Sequence, residues 1–270
     1  MTRVWVDGEP GDQIAVADRG LQYGDGLFET IACRAGRIRF LELHLARLQR
    51  GAEVLALPLP PLSLLRAELT NAAAAGAAVS LLKLIVTRGV AGRGYAPPAA
   101  PTANRILWHW TDEPAPPERC ARLGVAAMRL AASPRLAGIK HLNRLEQVLG
   151  RAELASAGWD EALMLTADGA VACATAANIF AVVGGLLRTP RIDTAGIRGV
   201  MRAVVLREAP KLGLPVEEGR LTLPELAAAS ELFLTNARVG VLPVEHLQGV
   251  FIGAGPIAAR IRTHVASLDD

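Results

Sequence analysis

Cysteine is scarce in this 270-residue chain, which has three: Cys33, Cys120 and Cys173. None lies in a CxxC pair, and any disulfide scheme leaves one over, which points to a reducing compartment. Aromatic residues make up only 4% and the basic residues are scattered, so there is neither a stacking platform nor a positive stripe for nucleic acid. A net charge of +3 and a pI near 9.0 suit a small anionic ligand equally well. The longest apolar stretch, 72–86, is interrupted by Ser80 and Lys83 and is too short to span a bilayer. The opening MTRVWVDGEPGD lacks the apolar core of a signal peptide. No group of side chains has metal-ligand spacing. The glycines of 89–94 lack the strand–loop–helix context of a dinucleotide fingerprint. The expectation is a cytoplasmic globular protein, 51% hydrophobic and 20% charged, with ample apolar side chain for a core.

Strands and helices interleave along the chain. Residues 3–7 alternate as a first strand, and Gly8–Gly11 reads as a turn. Residues 27–34 and 37–41 flank Ala35-Gly36 as a hairpin. Leu41, Leu45, Leu48, Val54 and Leu55 mark an amphipathic helix, and a second helix covers 62–76. Strands are expected at 79–88 and 104–110, joined by a glycine-rich loop. The run Asp112-Glu-Pro-Ala-Pro-Pro117 is too stiff to continue a strand or helix and reads as a linker. Beyond it, 123–132 reads as a strand, 143–157 as a helix, and 161–183 as two strands around Ala167-Asp-Gly169. A helix over 200–212, a strand over 231–235 and a helix over 254–267 follow. The pattern predicts an α/β (α+β) chain in two parts: a small N-terminal domain over 1–111, a linker over 112–118, and a larger domain over 119–270.

The most informative segment is Gly138-Ile-Lys-His-Leu-Asn-Arg-Leu-Glu-Gln-Val-Leu149. Asn143 is suited to cap a helix, and Glu146 falls where the acid of a capping box would sit. Leu145, Val148, Leu149 and Ala152 recur at helical spacing. Lys140 thus stands at a strand–helix junction among apolar neighbours. Partial desolvation there favours the neutral amine needed to bond an aldehyde cofactor. On context alone, an ordinary solvated surface lysine is the favoured reading.

The whole segment closely resembles the lysine region of the fold type IV pyridoxal-phosphate enzymes. Its variant K-H-L-N-R-L-E-Q-V is similar to the aminodeoxychorismate lyases among them. Further segments match in family order: Asp18-Arg-Gly-Leu-Gln-Tyr-Gly-Asp-Gly-Leu-Phe-Glu29, His44-Leu-Ala-Arg-Leu48 and Thr87-Arg-Gly-Val-Ala-Gly-Arg-Gly-Tyr95. Then come Ala176-Ala-Asn-Ile-Phe180, Ala195-Gly-Ile-Arg-Gly-Val-Met-Arg202 and Thr235-Asn-Ala with Pro243-Val244. The likeness covers nearly the whole chain.

The resemblance implies pyridoxal 5'-phosphate as cofactor, a homodimer, and a cofactor site between the two domains of each chain, with Lys140 in the larger one. It implies elimination of pyruvate from aminodeoxychorismate to give 4-aminobenzoate. It makes Lys140 the catalytic residue and cofactor anchor, and Arg47 a ligand of the cofactor phosphate. A guanidinium binds phosphate in a bidentate fork, though residue type alone favours a surface arginine whose stem covers the core. The backbone amides of Ile197, Arg198 and Ala237 would complete the phosphate site, although from sequence alone a simple turn is the default reading. Arg93 would bind a substrate carboxylate, with Tyr95, Arg88 and Arg144 as further candidates, each also readable as structural. Phe28 stands where some related transaminases have a tyrosine. His44 and His141 read as hydrogen-bonding residues rather than catalysts.

One position departs from the family. A glutamate usually stands five residues before the asparagine of the N-[ILV]-F element and holds the proton on the cofactor's ring nitrogen. Here that position is Cys173, whose thiol ordinarily has a pKa of about 8.5 and bonds weakly. Three readings are open: a lyase working with a weaker electron sink, a cofactor-binding protein of little activity, or Cys173 as a core residue with another group at the nitrogen. An aminotransferase for branched-chain or D-amino acids is the alternative activity.

Overall fold

The computed structural model describes residues 2–74, 77–113 and 119–268, with 155 and 156 as backbone alone. Among these, two compact units separate: one takes 2–113 and Ile139–Asn143, the other 119–138 and 144–268.

In the first unit the elements run β1 (Arg3–Val6), β2 (Glu9–Pro10), α1 (Arg19–Tyr23), β3 (Gly26–Arg34), β4 (Arg37–Ile38), α2 (Leu41–Leu55), α3 (Leu62–Ala74), β5 (Val79–Thr87) and β6 (Asn104–Thr111). Six strands form one antiparallel sheet in the order β2-β1-β6-β5-β3-β4. The β3–β4 hairpin turns on Ala35 and Gly36 at φ 49° and 76°, the left-handed pair that a two-residue turn with the right twist requires. Alternation along β3 sends Leu27, Glu29, Ile31 and Cys33 into the core with Leu45, Leu48, Leu65, Leu69, Leu82 and Leu84. Each buried leucine of this set contributes roughly 1.5–3 kcal/mol by transfer from water.

The second unit contains β7 (Ala121–Leu130), α4 (Leu145–Ala152), β8 (Glu161–Thr166), β9 (Val171–Ala174), β10 (Asn178–Val183), β11 (Leu186–Pro190), α5 (Val200–Glu208), β12 (Val216–Gly219), α6 (Leu223–Ala227), β13 (Glu231–Asn236), β14 (Gly240–Leu247), β15 (Val250–Phe251) and α7 (Pro256–Ser267). The nine-stranded sheet is mixed: β7 lies parallel to β14 and β8, and β11 to β12, while the remaining pairs are antiparallel. Phe180 and Phe233 stack at its centre, 5.0 Å apart.

Several expectations change. The segment 161–183 forms three strands rather than two. The amides of Thr175 and Ala176 turn aside to the buried Glu161 carboxylate, which ends β9. Gly8–Gly11 holds the short strand β2, so the turn sits one step earlier at Asp7-Gly8. Asn143 does not cap α4: its Nδ2 donates to the Gly24 carbonyl, and the helix starts at Leu145. Glu146 makes no capping box, because its carboxylate accepts the Ala131 amide. After Ala152 the chain tightens into a 3₁₀ turn over Glu153–Ser156. The Asp112 amide donates to the Val79 carbonyl, and 114–118 of the expected linker lie outside the described residues, as do 75 and 76 at the end of the second helix.

Candidate functional site

Lys140 belongs to the first unit, where the sequence reading had grouped it with the C-terminal part. The reason is backbone pairing. The two-residue β4 covers only the far end of β3, and the segment around Lys140 takes the other end. The Phe28 amide donates to the Lys140 carbonyl at 2.9 Å, and the Leu142 amide donates to the Gly26 carbonyl at 3.0 Å. A side chain at Gly26 would meet the Val86 carbonyl at 2.5 Å and Leu142 at 2.8 Å, so only glycine allows this approach. The half-buried Lys140 thereby has its Nζ 4.1 Å from the centroid of the Phe28 ring, where a cation meets the negative ring face. Lys83 Nζ lies 5.4 Å from the same ring.

On the opposite face of β3, Glu29 is buried against α2. His44 and Arg47, one turn apart, both reach it: Arg47 Nε donates at 2.8 Å, Arg47 Nη2 makes a second bond, and His44 Nδ1 lies 2.6 Å away. Burial alone would raise the Glu29 pKa. The Arg47 charge and the His44 hydrogen bond outweigh it and hold the carboxyl at about 2. Burial pushes the His44 pKa down, with the Arg47 and Lys140 charges adding and Glu29 opposing. Glu29 therefore orients Arg47. The alternation of β3, which puts an acid among Leu27, Ile31 and Cys33, was the signal for it in the sequence.

The glycine-rich loop is held by Arg19, a residue the sequence reading did not single out. Its Nη1 donates to the Gly94 and Ala96 carbonyls at 3.0 and 3.3 Å, its Nη2 to the Tyr95 carbonyl at 2.9 Å, and its Nε to Asp25. The signal was its place after Asp18, which caps α1 through the Gly20 amide. Arg93 and Tyr95 lie exposed on this loop, Tyr95 edge-on to Tyr23. Arg88 departs from its expected role. It is buried, with two bonds to Asp25 and bonds of 2.8 and 2.7 Å to the Leu55 and Ala56 carbonyls at the end of α2. Its donors tie the loop base to the helix rather than face a substrate.

In the second unit, Gly196-Ile-Arg-Gly199 forms the turn into α5. Asn178 pins it from β10: Nδ2 donates to the Ile197 carbonyl at 2.9 Å, and Oδ1 accepts the Gly199 amide at 3.1 Å. A Cβ on Gly199 would collide with that Oδ1. No side chain caps the helix, and its first turn of amides points out of its N-terminal end. Beside Asn178, across the β10–β13 pairing, Thr235 Oγ1 is buried without a hydrogen-bond partner. Ala237 follows in a turn where the Asn236 Oδ1 accepts the Arg238 and Val239 amides. The Arg198 amide does not face this space, because it donates to the Gly138 carbonyl at 3.1 Å. Its expected role as an amide ligand is thereby replaced by one in bracing the turn.

Cys173 lies on β9 opposite Met164, packed with Leu130, Ala172 and Ala195. Its Sγ would be 3.9 Å from a Cβ on Gly196. Burial pushes the thiol up to about 12, with Arg144 opposing and Glu161 and Glu146 adding to the rise. Arg144, just before α4, has its own pKa lowered by burial. Among the described residues no group of three or more His, Cys, Asp or Glu is arranged to hold a metal.

Comparison with known proteins gives consistent results. The family described as "Amino-transferase class IV" matches residues 26–247. An aminodeoxychorismate lyase of Vibrio harveyi is 32% identical over 251 residues, 89% of each chain. The crystal structure of 4-amino-4-deoxychorismate lyase from Pseudomonas aeruginosa superposes with a TM-score of 0.93 at 44% identity, covering 99% of this chain and 100% of that one. The branched-chain aminotransferase of the archaeon Thermoproteus uzoniensis, solved with norvaline, gives 0.85 at 25% identity over 98% and 93%.

Proposed function

Because the chain belongs to the class IV amino-transferase family, we propose that it is a pyridoxal-phosphate-dependent 4-amino-4-deoxychorismate lyase that releases pyruvate and leaves 4-aminobenzoate. The observation that carries this reading is the near end-to-end likeness to the Pseudomonas aeruginosa lyase at 44% identity. Lys140, pinned on β3 against Phe28, supplies the amine that the reading needs.

The residues present fit the phosphate end of the cofactor. The open first turn of α5, the Asn178-held turn at Ile197 and Gly199 and the orphan hydroxyl of Thr235 favour an anion. Ile197 and Ala237 would add backbone amides; within the first unit, Arg47 is a guanidinium that Glu29 holds in orientation, a group suited to phosphate. They fit the ring nitrogen less well, since Cys173 offers a thiol there.

When bound, the cofactor supplies an aldehyde that captures the substrate amine and a ring that draws electrons from the adjacent C–H bond. Lys140 Nζ would take the proton from the carbon beside the substrate amine and return one to the departing enolpyruvate. Proton transfer by a positioned group is typically worth about 10²–10⁴-fold. Arg93, on the loop that Arg19 holds, would orient a substrate carboxylate, with Tyr95 of the same loop as a further contact. The same reading carries a homodimer and a cytoplasmic location. No helix among the described residues is long and apolar enough to cross a membrane.

Aminotransfer on the same fold is the second reading, favoured by the likeness to the branched-chain enzyme. The test is to add enzymatically generated aminodeoxychorismate to the purified, reconstituted protein and follow 4-aminobenzoate fluorescence. Product formation is expected. Conversion of the cofactor to its aminated form by amino acids, with no 4-aminobenzoate, would replace the lyase by an aminotransferase.

A further inference from the structure

Within the second unit, three observations bear on the protonation of whatever ring lies beside Cys173. First, Cys173 adjoins the anion-binding turn: its Sγ stands 3.9 Å from the Cβ position of Gly196, next to Ile197. An anion held by that turn and the end of α5 brings the group it is attached to alongside this thiol. Second, the wall around the sulfur is apolar, formed by Leu130, Met164, Ala172 and Ala195.

Third, the charges facing Cys173 are Arg144 from the segment before α4, Glu146 from α4 and Glu161 from β8. Both carboxylates also accept hydrogen bonds from neighbouring groups. Glu161 accepts the amides of Ala162, Thr175 and Ala176 and the Thr175 hydroxyl, and it pairs with Arg151. Glu146 accepts the Ala131 amide. An apolar wall disfavours protonation of a ring nitrogen, because it solvates the charged form poorly. A thiol kept neutral by burial brings no compensating negative charge.

We propose that this chain holds the ring nitrogen of its cofactor unprotonated, with the Cys173 thiol as its neighbour. The proposal rests on the reading of the chain as a pyridoxal-phosphate enzyme. The ring is then a weaker electron sink. That suits an elimination whose product gains aromaticity better than it suits aminotransfer.

The test uses the full chain reconstituted with pyridoxal phosphate labelled with ¹⁵N in the ring, read by ¹⁵N NMR without any turnover. The wild-type resonance is expected at the position of an unprotonated ring nitrogen, Cys173→Ser is expected to leave it there, and Cys173→Glu should move it to the protonated position. A wild-type resonance already at the protonated position overturns the proposal. So does a folded, cofactor-loaded Cys173→Glu whose resonance stays with the wild type. If Cys173→Glu does not fold, the wild-type position, compared with Cys173→Ser, decides by itself. A chain that takes up no pyridoxal phosphate overturns both this proposal and the reading beneath it, whereas bound cofactor with a protonated nitrogen overturns this proposal alone.

Discussion

Arg47 reaches Glu29 from one turn beyond His44, and its Nε lies 2.8 Å from a carboxylate oxygen that is almost wholly buried. The guanidinium proposed to meet the cofactor phosphate is thus aimed by an acid on the neighbouring strand rather than by its own helix.

This pair has a pH signature. The Glu29 carboxyl titrates at about 2 in the fold against an ordinary 4.5, so it binds a proton less readily folded than unfolded. Its contribution is complete above pH 4.5 and is lost as the pH falls towards 2, amounting to on the order of 3 kcal/mol. Glu29→Gln should lower stability at pH 7 by about 3–5 kcal/mol, since it removes the buried counter-charge that Arg47 and His44 share. The variant should also flatten the acid limb of a urea-stability profile. An unchanged acid limb would show that the pair contributes nothing there.

Lys140→Ala should abolish turnover together with the visible absorbance of lysine-linked cofactor. Fluorescence of bound pyridoxal phosphate would show whether the phosphate site persists. Measurable 4-aminobenzoate production by this variant would remove Lys140 from the mechanism.

Gly199→Ala forces a methyl group into Asn178 Oδ1. The turn must open, and cofactor affinity should fall at least tenfold (about 1.4 kcal/mol). Pyridoxal, which lacks the phosphate, should lose much less. Equal losses for the two ligands, measured by absorbance titration, would mean that the turn does not serve the phosphate.

Arg88→Ala removes a buried cation that holds Asp25 and the end of α2, at a cost of about 3–5 kcal/mol. The expectation is a large drop in Tm with KM for aminodeoxychorismate nearly unchanged in the folded enzyme. A stable variant with a raised KM would return Arg88 to the substrate.

Much of the architecture was legible because it rests on local periodicity. The spans of α2, β3, β5 and β6 follow from apolar spacing, and the Ala35-Gly36 turn from its residues. The end of β9 was not legible, because Thr175 and Ala176 give their amides to a carboxylate far back in sequence. The cap of α4 failed for the same reason, since Asn143 is used by Gly24. Leu145, Val148 and Leu149, whose spacing announced that helix, are 76%, 58% and 54% exposed in the single chain, so periodicity located the helix without telling what covers it.

By itself the sequence determined which chemical groups are present and the order in which they come: a lysine in K-H-L-N-R-L-E-Q-V, an arginine one turn after a histidine, and a cysteine five residues before Asn178. The tertiary structure alone decided what each of them meets. It placed Lys140 with the N-terminal unit by backbone bonds to β3, and it paired Arg47 with Glu29. It also consumed Arg88 in the scaffold and set Cys173 beside Gly196. The reason is that hydrogen bonds and charges act through space over a few ångströms. A linear pattern shows what a side chain is able to do but not which partner satisfies it.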